Sequence, residues 1–112
     1  MMTTVINRTE NLIKGINEMV AEHCANISPN IEVPQVVASI GKRYIKLVRT
    51  ESKYGRNKSA YGFVDMVNGD VLMAAGWSAP AKNGARSNVF DHDFGLSGCN
   101  AYSVSYKSGR NW

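Results

Sequence analysis

Apolar residues recur at three- and four-residue steps between Asn7 and Cys24, which is the spacing of one face of an α-helix. This face consists of Leu12, Ile13, Ile16, Met19 and Val20. The pattern predicts an N-terminal amphipathic helix. A connector punctuated by Pro29 and Pro34 follows it, and PQVVASIG, which ends at Gly41, predicts a short helical turn.

From residue 42 onward the period changes to two, which indicates β-strands. KRYIKLVRT alternates, with Tyr44, Lys46 and Val48 on one side, so it predicts a strand with a charged face. SAYGFVDMV, DVLMAAGW and AYSVSYK predict three further strands, and a short strand is indicated at 88–90. The predicted fold class is therefore α+β, with the helix packed on a small antiparallel sheet of about four strands.

Asn68-Gly69 lies between the second and third predicted strands and is a strong signal for a hairpin with a two-residue turn. Such a turn places Val64 opposite Met73 and gives one face that is entirely apolar or glycine. This face, predicted to meet the helix, holds Ala60, Gly62, Val64, Met66, Val71, Met73, Ala75 and Trp77. The other face holds Tyr61 and Phe63, which the helix need not cover.

Length and composition indicate one globular domain spanning 1–112, since 44% of the 112 residues are hydrophobic and 20% are charged. Residues 1–33 form the helix and connector, and residues 42–106 form the sheet region. No apolar run approaches the roughly 20 residues that cross a bilayer, and MMTTVINRTE lacks the features of a secretion signal. We therefore expect a cytoplasmic protein that does not bind membranes, with Cys24 and Cys99 as free thiols.

The net charge of +4 is unevenly distributed, with −2 over residues 1–33 and +6 over the remainder. Most of the excess lies between 42 and 58, where seven bases accompany one acid, Glu51. These bases are Lys42, Arg43, Lys46, Arg49, Lys53, Arg56 and Lys58. A cluster of this kind is suited to phosphates or to an acidic protein surface.

The residues Tyr61-Gly62-Phe63-Val64 match the middle of the octapeptide by which RNA-recognition-motif domains stack bases. The resemblance at 59–66 is partial: the first two positions and the last differ, no second aromatic motif lies upstream, and a hairpin replaces that family's helix. Tyr61 and Phe63 beside a basic loop nevertheless predict base stacking. The alternative is that both rings pack beneath the tail or the 78–100 loop.

The segment FVDMVNGDVLMAAGWSAPAKNGARSNVFD resembles the core of a family of small uncharacterised tailed-phage proteins. In that family Phe-Val-Asp, a Gly-Asp hairpin, Trp-x-Ala-Pro-Ala-Lys and a following Arg recur in this order. The resemblance covers roughly residues 42–91. It implies a phage origin and a setting in the host cell cytoplasm, and it implies no catalytic residue.

Two further segments carry candidate site residues. WSAPAKNGAR presents Lys82 and Arg86 on a loop that can hold a phosphate, or else forms a solvated loop anchored by a buried indole. Asp91-His92-Asp93 invites a metal or an acid/base interpretation, but its spacing is unspecific, and two histidines and two distant cysteines supply too few ligands for zinc. We expect no metal, no cofactor and no enzymatic activity, because no catalytic arrangement stands out.

The leading hypothesis is a small phage-encoded protein that binds single-stranded DNA or RNA without chemistry. Phosphates would contact Lys42, Lys46, Arg49, Lys53, Arg56 and Lys58, bases would stack on Tyr54, Tyr61 and Phe63, and Lys82 with Arg86 would close the groove. The alternative is an accessory protein whose basic surface binds an acidic host or phage protein. In either case the N-terminal helix offers a surface for a homodimer.

Overall fold

The computed structural model describes residues 2–27, 33–50, 58–81, 84–100 and 103–104. Helix α1 (Met2–Ile27) precedes an antiparallel sheet whose strands follow one another in chain order. The strands are β1 (Gln35–Ile40), β2 (Tyr44–Thr50), β3 (Lys58–Asp65), β4 (Asp70–Leu72) and β5 (Ser87–Asn88), and a short 3-10 helix (Leu96–Gly98) follows. The predicted α+β fold is confirmed, with five strands rather than about four.

Helix α1 extends beyond the predicted range at both ends, and its apolar face begins already at Val5. Thr9 is the polar residue on this face, and its hydroxyl donates to the Val5 carbonyl at 2.7 Å, which satisfies it without solvent. The buried apolar residues of the helix are Val5, Leu12, Ile16, Val20 and Cys24. They share one core with Val36, Ile45, Leu47, Val64, Val71 and Val89 of the sheet and the adjoining loop. Burying each such side chain contributes about 1.5–3 kcal/mol.

The prediction of a helical turn at PQVVASIG is wrong, because this segment forms β1. It pairs with β2 along its whole length, from Gln35 opposite Thr50 to Ile40 opposite Ile45. Gly41 donates its N–H to the Tyr44 carbonyl at 3.0 Å and closes the connection. Two adjacent β-branched valines and a partner strand outweigh the Pro and Gly signals that suggested a helical turn.

The β3–β4 hairpin is confirmed in position but not in register: Val64 lies opposite Val71 rather than Met73. The loop is longer than two residues, because Gly69 donates its N–H to the Asp65 carbonyl at 2.7 Å. The Asp65 carboxylate also accepts the Val67 N–H at 2.8 Å, and such bonds favour a longer loop. The shift is two residues, so Val64 and Val71 still face α1.

The predicted faces of β3 and of the segment after β4 need two corrections. A register shift places Leu47 opposite Gly62 and Val48 opposite Ala60, so Tyr61 is the extra residue of a β-bulge and joins the core beneath α1. After Leu72 the chain leaves the strand and folds back in a bridge between Ala74 and Pro80. Trp77 therefore does not face the helix.

Most of the predicted last strand lies outside the described residues, although Val104 forms a bridge with Cys99. Cys24 and Cys99 are both buried free thiols. Within the described ranges, no helix is long and apolar enough to cross a membrane.

Candidate nucleic-acid interface

The sheet face opposite α1, called the outer face below, carries aromatic and basic side chains. Ser39, Lys46, Phe63 and Leu72 lie opposite one another across the first four strands. Phe63 is buried, and Tyr44 meets it edge to face with a centroid separation of 6.2 Å. Phe63 and Tyr44 thus form an aromatic floor in the middle of the outer face.

The loop after β4 brings Trp77 to this face. Ala81 donates its N–H to the Met73 carbonyl at 2.7 Å, which holds the two ends of the loop together. The Lys46 ammonium lies 3.9 Å from the centroid of the Trp77 ring. A cation–π contact at such a site is worth about 0.5–1 kcal/mol. Trp77 remains 50% exposed, so part of its ring is open to a ligand.

Arg43 lies at the same end of the outer face, and its guanidinium already has two partners within the protein. Its guanidinium contacts the Asp65 carboxylate at 3.2 Å and lies 5.4 Å from the Tyr44 ring centroid. The hydrogen bond and the charge of Asp65 raise the pKa of Arg43. Asp65 is buried while 61% of the Arg43 side chain is exposed, so the Arg43 guanidinium compensates the charge of a buried carboxylate.

Two open cavities meet at Tyr44. The first, the basic groove, has a volume of about 240 Å³ and is lined by Ser39, Gly41, Lys42, Arg43, Tyr44, Lys46, Phe63 and Ser78. The second, the β4 pocket, has a volume of about 440 Å³ and is lined by Tyr44, Asp70, Leu72, Ala79, Pro80, Ala81, Gly84 and Ala85. Tyr44 lines both cavities, and Ser78, Ala79, Pro80 and Ala81 of the loop that carries Trp77 contribute to their walls.

Three of the basic residues predicted as phosphate contacts lie on the outer face. Lys42 is exposed and Lys46 half-buried, and both line the basic groove. Lys58 is exposed and lies opposite Thr50, four residues along β2 from Lys46. At 3.3 Å per residue, the two lysines are separated by about 13 Å along the strand direction.

Two other predicted contact residues, Arg49 and Arg86, are buried. Arg49 is buried and shares the helix-facing side of β2 with Ile45 and Leu47. Arg86 is buried and donates to the Gly84 carbonyl at 2.6 Å, so it supports the loop from within. Lys53, Tyr54, Arg56 and Lys82 lie outside the described residues.

The two predicted stacking rings are both buried, Tyr61 in the core and Phe63 against Tyr44 on the outer face. The Tyr61 hydroxyl donates to the Asn100 carbonyl at 2.5 Å, and Tyr61 accepts the Val104 N–H on its own carbonyl. Burial raises the pKa of Tyr61 above its usual range. Tyr61 and Phe63 are 1% and 3% exposed, so neither presents a ring face to a base.

The sequence pattern predicted a buried Trp77 and did not indicate Tyr44 as a site residue. A signal for Trp77 was present, because Pro80 three residues later limits the length of the strand. Tyr44 was correctly placed on the charged face of β2, but its contacts depend on where the 73–86 loop returns. That return could not be read from the hydrophobic pattern.

Asp91-His92-Asp93 serves the local backbone. An Asp91 carboxylate oxygen accepts the Asn88 N–H at 3.1 Å, and Asp93 accepts the N–H groups of Gly95 and Ser97 at 3.0 and 2.9 Å. Burial raises the pKa of Asp93, but these hydrogen bonds outweigh it and the net shift is downward. Among the described residues, no group of three or more His, Cys, Asp or Glu side chains is arranged to hold a metal ion.

The sequence profile of one family of unknown function matches residues 1–101. No curated protein and no solved structure matches the chain. The matched range includes α1, all five strands and the loop that carries Trp77, so the basic groove and the β4 pocket both lie within it.

Proposed function

Because the chain belongs to the DUF7717 family, a family of unknown function, we propose its function from the outer face: it binds single-stranded nucleic acid and catalyses no reaction. One observation carries the proposal. The indole of Trp77 lies over Lys46 and is half exposed, at a groove that Lys42 and Arg43 also line.

An exposed aromatic ring beside cations fits the chemistry of an unpaired strand. A base offers a π-face to the indole, and stacking on an aromatic side chain is worth about 1–3 kcal/mol whatever the base. The neighbouring ammonium groups meet the phosphates of the same strand. A duplex hides its base faces, so a stacking ring favours single strands over double strands.

The basic side chains define a path for the backbone. Lys42 and Lys46 line the groove, and Lys58 extends the positive charge along the same face of the sheet. Arg43 contributes less free charge because Asp65 holds it. The path runs along β2 and passes beneath Trp77.

The proposed contacts differ from those expected from the sequence. Lys42, Lys46 and Lys58 contact phosphates, and Trp77 with Tyr44 contacts bases. Arg49, Tyr61, Phe63 and Arg86 support the fold, since all four are buried. Lys53, Tyr54, Arg56 and Lys82 keep their proposed roles on the sequence argument alone. A tailed-phage origin and an action in the host cytoplasm belong to this proposal and are supported by the Phe-Val-Asp to Ala-Pro-Ala-Lys resemblance.

Intrinsic fluorescence tests the proposal at its central residue. The chain has two tryptophans, so Trp112→Phe leaves Trp77 as the single indole. We expect saturable quenching of this variant by a dT oligonucleotide at low salt. Heparin, which carries the charge without bases, is expected to compete for binding but to quench far less.

The matched variants separate stacking from charge. Trp77→Ala is expected to weaken binding about tenfold or more, and Trp77→Phe is expected to retain most of the affinity. Both should keep the thermal stability of the parent, because half of the indole is exposed. Absence of oligonucleotide binding at low salt would refute the proposal.

A second candidate, docking of an acidic protein, is favoured by the edge of the sheet. β1 is an edge strand, and its large apolar residues Val37 and Ile40 are 48% and 57% exposed. Strand addition at such an edge is a common mode of protein recognition, and Lys42 and Arg43 follow the edge directly. If this candidate is right, the protein forms a stoichiometric complex with an acidic protein and does not bind nucleic acid. The complex should persist in Trp77→Ala and be lost in Ile40→Pro.

A further inference from the structure

The β4 pocket is a second recognition element beside the basic groove. Its volume of about 440 Å³ falls within the roughly 300–1,000 Å³ of small-molecule sites. Leu72, Pro80 and three alanines supply apolar walls, while Tyr44 joins the pocket to the basic groove. A base that follows Trp77 along a strand therefore reaches this pocket without leaving the outer face.

Hydrogen bonds hold the walls of the pocket in place. Arg86 is the main brace: its backbone N–H donates to the Val71 carbonyl at 2.8 Å and its guanidinium donates to the Gly84 carbonyl at 2.6 Å. On the other side, the Ala74–Pro80 bridge and the 2.7 Å bond from Ala81 to Met73 return the loop to β4. The pocket is therefore formed before a ligand arrives, which reduces the entropy lost on binding.

Among the described residues that line the pocket, Asp70 is the one with a charged side chain. Its Oδ1 accepts from the Asn88 side-chain amide at 2.9 Å, and the same amide donates to the Asn68 carbonyl at 3.0 Å. These bonds fix the carboxylate orientation. An ionised carboxylate has about four acceptor sites, so acceptor capacity is left for donors of a ligand.

We propose that the β4 pocket binds guanine. The inference rests on the proposed function, since it assigns a base preference to the same strand-binding face. Guanine presents N1–H and N2–H₂ side by side on one edge, and these two donors match the two oxygens of a carboxylate. Adenine and cytosine present a donor next to an acceptor, and thymine presents one donor between two acceptors, so each leaves a carboxylate facing an acceptor.

The location of Asp70 supports this assignment over a phosphate site. A carboxylate repels phosphate, so it weakens a polyanion site unless it meets a donor edge. The apolar walls suit the faces of a planar ring, and Tyr44 stands where a neighbouring base would stack. The source of the guanine is either one residue of a strand or a free nucleotide, and both present the same edge.

The experiment compares the affinity for a thymine strand that contains one guanine with the affinity for a strand of thymines alone. Trp112→Phe protein is titrated with dT5-dG-dT5 and with dT11, which avoids the quadruplexes of guanine runs. We expect about tenfold tighter binding of the guanine strand, the usual discrimination of a two-bond base contact. Hypoxanthine in place of guanine lacks the 2-amino group and should lose most of this preference.

Asp70→Asn is the matched variant, because asparagine keeps an acceptor for Asn88 but opposes the guanine edge with a donor. It should reduce the ratio between the two strands to about one. Removal of the Asp70 charge by itself should strengthen the binding of both strands equally. The readout is therefore the ratio of the two binding constants, in which this effect cancels. Glu10→Gln, on the exposed side of α1, removes the same charge and should leave the ratio unchanged.

The outcomes separate this inference from the proposed function. Binding of dT11 with no preference for guanine, or a preference that persists in Asp70→Asn, overturns the guanine site and leaves strand binding intact. Asp70-dependent binding of GMP without binding of dT11 supports a free-nucleotide site and refutes strand binding. Binding of neither ligand refutes both.

Discussion

The side chain of Asn17 bonds both backbone groups of Val36: its Oδ1 accepts the Val36 N–H at 2.8 Å, and its Nδ2 donates to the Val36 carbonyl at 3.1 Å. A primary amide carries the same donor and acceptor as a strand backbone. Helix α1 therefore acts as a partner for part of the β1 edge, in addition to its apolar packing.

Asn17→Ala should lower the free energy of unfolding by about 1–3 kcal/mol, because it removes two hydrogen bonds at a partly buried edge. Urea denaturation measures the change. Asn11→Ala is the matched control on the same helix, since the Asn11 amide makes an exposed bond to the Asn7 carbonyl. Equal losses from the two variants would contradict a special role for Asn17.

The sequence correctly predicted the parts of the fold in which apolar residues keep a regular helical or strand spacing. Leu12 and Ile16 recur at helical spacing and are fully buried in α1, and Val64 and Val71 face the helix as expected. The register of the hairpin could not be predicted, because Asp65 bonds the loop backbone and lengthens the turn. A shift of two residues preserved the faces, so Val64 and Val71 were still assigned to the core correctly despite the wrong register.

The site was harder to predict because it depends on contacts between distant segments. Basic residues were correctly expected on β2, but a bulge at Tyr61 moved that ring into the core. Trp77 reached the outer face through a loop closed by Pro80. The local spacing of apolar residues predicts neither the bulge nor the path of the loop, because both depend on which backbone groups pair across the sheet.

Gly62→Ala should destabilise the fold, because a Cβ at this position would overlap Val104 and approach the Leu72 carbonyl to 2.9 Å. Over-packing of this kind costs about 1–3 kcal/mol. Thermal unfolding measures the loss. Gly76→Ala is the control, since a Cβ there meets nothing within 4 Å and should change stability by less than about 0.5 kcal/mol. Equal melting temperatures for the two variants would be the contrary result.

Stability at alkaline pH should depend on Cys99. Burial raises the pKa of its thiol to about 12 from an ordinary value of 9.0. Between these values the unfolded chain has lost the proton and the folded chain retains it, so the free energy of unfolding falls as pH rises. The slope from this group approaches about 1.4 kcal/mol per pH unit, and below pH 9 it vanishes.

Urea denaturation of the wild type and Cys99→Ala from pH 7 to pH 11 measures this contribution. The variant is expected to show a shallower decline above pH 9, while any effect of lost volume is a constant offset at all pH values. Burial also raises the pKa of Tyr61, so part of the alkaline decline should persist in the variant. Parallel curves for the two proteins would show that the thiol does not titrate differently on unfolding.

The salt dependence of strand binding should identify Lys46 as a phosphate contact. For single strands, the logarithm of the binding constant falls with the logarithm of salt by about 0.7 per neutralised phosphate. Lys46→Gln is therefore expected to make the slope about 0.7 shallower, and Lys46→Arg should retain it. Lys14→Gln removes the same charge from the exposed side of α1 and should leave the slope unchanged. Equal slopes for Lys46→Gln and Lys14→Gln would mean that Lys46 serves to hold Trp77 and does not meet the backbone.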